Sequence, residues 1–92
     1  MTPARARGND ADVSLERRVA GLLAEVCGAP LDSLSLASTP ATTRGWDSAA
    51  QLNFIAAVEE ELGVAISTSE AMALRSLGDM VALLGRKGVA AR

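Results

Sequence analysis

At 92 residues, with 49% apolar residues but only 2% aromatics and a formal net charge of -2, the chain has the size of one domain built on an aliphatic core. Its nine basic residues lie mostly towards the two ends, which excludes the clustered Lys and Arg of a nucleic-acid binder, and its apolar runs fall well short of the roughly 20 residues that span a bilayer. It contains no histidine and one cysteine, so an internal disulfide and a usual zinc site are both excluded.

Residues 1–11, MTPARARGNDA, show no hydrophobic period and read as a disordered tail. No apolar stretch of the length a secretory signal needs follows their charges, so a cytoplasmic location is the expectation. A first helix is predicted from about Asp12 to Cys27. Leu15, Val19, Leu22, Leu23 and Val26 form its core stripe, Asp12 or Ser14 is available as a cap, and Gly28 with Pro30 stops it. Cys27, at the end of the stripe, reads as a small buried hydrophobe, since no histidine exists to activate it.

Residues 29–47 form a long connection with Pro30, Pro40, Gly45 and many Ser and Thr residues. Connections of this length are uncommon unless functional or disordered. Leu31, Leu34 and Leu36 suggest an ordered loop pinned across the helices by buried leucines. Trp46, the only tryptophan, reads as a packing residue that fixes the angle at which the chain enters the next helix, and Arg44 as a solvated charge.

The chain is arranged around residues 45–64, GWDSAAQLNFIAAVEEELGV. From Ser48, a helix of about 15 residues, roughly 22 Å long, is marked by Phe54, Ile55, Val58 and Leu62 on one stripe. Gly63 stands where a left-handed C-terminal residue is expected. A second strip, Ala49, Leu52 and Ala56 flanked by Glu59 and Glu60, reads as a surface. Ser48 could cap the helix. If Asp47 caps instead, Ser48 becomes the first helical residue, with its hydroxyl free at the positive end of the helix dipole, where a phosphate is favoured.

The run Trp46-Asp47-Ser48, followed by an apolar helix ending in Glu59-Glu60-Glu61-Leu62-Gly63-Val64, resembles the acyl and peptidyl carrier proteins. Their Asp-Ser motif opens the second helix. The resemblance covers about residues 13–86 in layout and is most specific between Gly45 and Ile66. It implies that Ser48, flanked by Asp47 and Trp46, is esterified with 4'-phosphopantetheine from coenzyme A by a phosphopantetheinyl transferase. The arm would then carry an acyl or aminoacyl group as a thioester between a loading enzyme and downstream synthase or tailoring enzymes. Ala49, Leu52, Ala56, Glu59 and Glu60 would be the partner-docking face. Ala49 stands where many carriers have leucine, Ala56 where a methionine is common and Asn53 where an acidic residue is common. These departures point away from fatty-acid synthase partners and towards a specialised pathway such as polyketide or nonribosomal peptide biosynthesis.

After Val64 and Ile66, Ser67 and Glu70 have the spacing of a capping box and open a short helix through Leu74. Ser76 to Asp79 repeats the pattern before a last helix in which Leu77, Met80, Val81 and Leu84 face the core, and residues 87–92 are expected to fray. The expectation is an all-α, small four-helix bundle of acyl-carrier type, with three main helices, one short helix and a long first loop, over residues 12–86. It would be a monomer and not an enzyme, since an Asp-Ser pair without a base in reach is no catalytic dyad. An unmodified helical interaction module, with Ser48 only a cap, is the alternative; a helix-turn-helix DNA binder has the wrong charge.

Overall fold

The computed structural model describes residues 3–89, with side chains from Leu15 onward. Four helices follow one another, α1 (Pro3–Cys27), α2 (Ser48–Leu62), α3 (Thr68–Ala73) and α4 (Leu77–Arg86), with a 3-10 turn at Leu31–Ser33 inside the long first connection. Among the described residues there is no strand. The expected all-α bundle, three main helices and a minor one behind a long loop, is the fold. α1 begins at Pro3, ahead of the start expected near Asp12; proline suits a first helical position because its missing N–H would have no partner there. The side chains of the expected tail, residues 1–11, lie outside the described residues.

The core is a layer of mostly aliphatic side chains from three helices. α1 contributes Leu15, Val19, Ala20 and Leu23, α2 contributes Ala50, Phe54 and Val58, and α4 contributes Leu77, Met80 and Leu84. Their offsets of three and four residues keep each set on one helical face. Phe54 is the largest side chain buried below 2% exposure, and its burial stabilises the fold by about 1.5–3 kcal/mol. Leu22, Val26, Ile55, Leu62 and Val81 pack at the margins and are only partly buried. Two alanines, Ala20 and Ala50, sit inside instead. α4 also buries Leu83, which borders the cleft it forms with α3.

The first loop is ordered by polar contacts more than by leucines. Leu34 packs against the core, but Leu31 and Leu36 remain 41% and 43% exposed, contrary to the expectation of buried anchors. The loop is fastened by the free N–H groups at the start of α4. Leu77 N–H donates to the Ser38 carbonyl at 2.9 Å and Gly78 N–H to the Leu36 carbonyl at 2.8 Å. A Cβ on Gly78 would lie 2.9 Å from that carbonyl oxygen, so the contact needs glycine. Within the loop, the buried Ser38 hydroxyl accepts from Ser35 N–H at 2.9 Å, and Thr39 and Thr42 close a second small turn. At the end of the loop Gly45 has φ +87°, and a Cβ there would collide with the Cys27 carbonyl. The elbow before α2 therefore rests against the end of α1.

α3 is attached differently. It buries no residue, and its start is a capping box: Ser67 Oγ accepts from Glu70 N–H, and Glu70 Oε1 accepts from Ser67 N–H. The Glu59 carboxylate of α2 accepts from Ile66 N–H at 2.9 Å, and Lys87 Nζ lies 3.0 Å from Glu70 Oε1. Past the end of α4, Val89 N–H donates to the Leu84 carbonyl at 2.9 Å and its side chain packs on the core. Residues 90–92 lie outside the described residues.

Candidate functional site

Asp47 takes the cap of α2. In extended conformation, with φ -107° and ψ -169°, it lets its carboxylate accept from Ala50 N–H at 2.9 Å, which satisfies one of the free donors of the first turn. Ser48 is thereby the first residue of the helix. It is exposed, and among the described residues its hydroxyl makes no hydrogen bond. Of the two local possibilities, cap or free hydroxyl, the structure has the second.

Trp46 packs inward as expected. It is 4% exposed and meets the Phe54 ring edge-on, with centroids 5.9 Å apart and planes at 86°, a favoured aromatic arrangement. Its indole N–H donates to Gln51 Oε1 at 2.6 Å. Trp46 precedes the cap and Gln51 is the fourth helical residue, the two positions that usually form an apolar staple across a helix start. Here the staple is closed by a hydrogen bond.

An open groove of about 840 Å³ runs from Ser48 between α2 and the segment that carries α3. Gln51, Leu52 and Ile55 form one wall, and Ile66, Thr68 and Met72 border the other. Leu52 and Met72 stand 70% and 76% exposed at its rim. From the expected docking strip, Ala49, Leu52, Ala56 and Glu60 are exposed along α2, whereas Glu59 is only partly exposed and holds Ile66 N–H. Gln51, Ile66 and Met72 did not stand out in the sequence. Gln51 lacked a visible partner, and the helix carrying Met72 is too short for periodicity to show its face.

Burial pushes the Cys27 thiol up, and the nearby Asp47 carboxylate adds to the shift, so the thiol resists forming the reactive thiolate. Among the described residues no group of three or more His, Cys, Asp or Glu side chains is placed to hold a metal, and no helix is long and apolar enough to cross a membrane.

A family model described as the phosphopantetheine attachment site matches residues 17–84, from the second half of α1 to the buried Leu84. A comparison with curated proteins finds no match.

Proposed function

The chain belongs to the phosphopantetheine-attachment family, and from that membership we propose that Ser48 is the residue that bears the group. A chain of this family is a carrier with covalently attached 4'-phosphopantetheine, and it works with a phosphopantetheinyl transferase and with partner enzymes. The observation that supports Ser48 is the division of labour at the start of α2. Asp47 satisfies the cap, which leaves an exposed hydroxyl, without a partner among the described residues, at the mouth of an open groove. Those features fit an attached phosphodiester, since the oxygen is accessible and the positive end of the α2 dipole favours the negative charge added there.

When bound, the group supplies a thiol that holds cargo as a thioester. Ser48 contributes an oxygen nucleophile, and no histidine exists in the chain to act as its base. Activation is therefore assigned to the transferase, and the carrier itself catalyses nothing. Trp46 and Gly45 act as positioning residues: the buried indole and the close approach to Cys27 hold the elbow that presents Ser48.

The exposed strip of Ala49, Leu52, Ala56 and Glu60 is the proposed docking face, with Glu60 at its rim steering encounter with basic partners more than tightening the complex. Its small alanines support partners of a dedicated biosynthetic system, polyketide, nonribosomal peptide or related, over fatty-acid synthase enzymes. Incubation with coenzyme A, magnesium and a broad-specificity transferase, followed by intact-mass measurement, should add one phosphopantetheine to the wild type and none to Ser48→Ala. A folded wild type that gains no mass would refute the assignment.

A further inference from the structure

Gln51 has a feature that capping and packing leave unused. An indole N–H can only donate, so the Gln51 atom that faces Trp46 at 2.6 Å is the carbonyl oxygen. The amide NH2 must then point elsewhere, and among the described residues it has no hydrogen-bond partner. No buried side-chain nitrogen or oxygen among those residues lacks a partner, so this NH2 is at least partly accessible to solvent, and Gln51 is one of the residues that line the groove. Gln51 lies three residues after Ser48 on α2, so the two side chains are neighbours on one helical face, with Cβ atoms about 5–6 Å apart.

We propose that Gln51, clamped by Trp46, is a binding residue for the phosphopantetheine arm, donating an N–H to an oxygen acceptor of the arm where it leaves Ser48 along the groove. The inference rests on attachment at Ser48. The acceptors near that end of the arm, the phosphodiester, the hydroxyl beyond it and the first amide carbonyl, are all oxygens to which an amide N–H can donate. The clamp supplies what a free glutamine lacks, since a side chain with one end already fixed loses less rotamer freedom on binding. Leu52, Ile55 and Met72 offer apolar surface to the aliphatic part of the arm.

Gln51 is the only glutamine and Trp46 the only tryptophan in the chain, so a nitrogen-15 NMR spectrum holds one pair of glutamine NH2 signals, to be assigned apart from those of Asn9 and Asn53, and one indole N–H signal. The experiment compares the unloaded protein with protein whose single loading at Ser48 has been verified by mass. On loading, the Gln51 NH2 signals should shift and exchange more slowly with water, while the Trp46 indole signal stays hydrogen-bonded. With a nitrogen-15-labelled arm, the first arm amide should be ordered in the wild type. It should lose that order in Gln51→Glu, which keeps the acceptor for Trp46 but removes both donors, and in Gln51→Met, which removes both. A phosphorus-31 shift on substitution would identify the phosphodiester as the acceptor, a carbon-13 shift at the hydroxyl-bearing carbon the hydroxyl, and one at the first carbonyl the amide. A protein loaded at Ser48 whose Gln51 signals do not move, or whose arm is equally ordered in both variants, overturns the role of Gln51 alone. A folded protein that accepts no group overturns the attachment at Ser48 and this inference with it.

Discussion

The two sides of α2 are held by different forces. Towards α1 and α4, its Phe54 and Val58 are buried to 1% or less exposure, within one apolar cluster shared by the three helices. Towards α3, a few partly buried side chains are supplemented by polar bonds: Ile66 and Leu74 pack on the core, the Glu59 carboxylate holds Ile66 N–H, the capping box of Ser67 and Glu70 closes α3 itself, and the Glu70–Lys87 pair ties it to the end of α4. Ser48 stands where these two regimes meet. The rigid side fixes the serine in space, and the wall opposite is tied by bonds that are individually worth about 1–3 kcal/mol or less.

That contrast can be broken from either side. The largest effect is expected from Phe54→Ala, which should destabilise the whole domain by about 3–5 kcal/mol in urea unfolding, with all helices melting together. Gly45→Ala should follow, because a non-glycine residue at left-handed φ costs on the order of 1–3 kcal/mol, and the added Cβ meets the Cys27 carbonyl besides. Loading at Ser48 should slow with it, since the elbow must shift.

Ser67→Ala should cost about 1 kcal/mol and act locally: amide hydrogen exchange should quicken in α3 and leave the core amides of α1, α2 and α4 unchanged. Equal acceleration everywhere would show that α3 is not held separately. A finer probe is pH. The Ser67 backbone N–H, followed by Lys87, holds the Glu70 carboxyl below the usual carboxylate range. A depressed folded pKa gives a contribution that is complete above the unfolded value and is lost as pH falls through the folded one. α3 should therefore stay anchored until the acid range below the ordinary carboxylate pKa, and Glu70→Gln should remove that acid-dependent step. The smallest effect on stability, within about 0.5 kcal/mol, is expected for Glu60→Lys. This variant should instead slow loading by partner enzymes at low salt. Unchanged rates would remove Glu60 from the docking face. Glu59 is unsuited to that test because its carboxylate holds the backbone of Ile66.

What could be read from sequence divides along the same line. Helix starts and stops are local chemistry, and the glutamate three residues after Ser67 and the glycine at position 63 announced a capping box and a left-handed stop that are both present. The Ser76 cap is likewise present, with its hydroxyl accepting from Asp79 N–H. The core stripes followed from periodicity in the large residues, but Ala20 and Ala50 did not, because alanine is buried or exposed according to what stands opposite. Leu31 and Leu36 show the converse: hydrophobicity alone points to anchors, yet both are exposed and the loop is tied by backbone carbonyls that no sequence pattern displays. At the site, Asp47 and Ser48 both stood out, yet which of them caps depended on the backbone angle at the elbow. The Trp46–Gln51 bond joins residues five apart across that elbow and has no sequence signature.

The most direct measurement is tandem mass spectrometry of the loaded protein, locating the added group among the hydroxyls that border the groove, Ser48, Ser67 and Thr68. Ser67 is occupied as the α3 cap, whereas Ser48 is free. Phosphopantetheine on Ser48 and on no other residue is the expected result; the group on Ser67 or Thr68 would contradict the assignment of Ser48 as the attachment site.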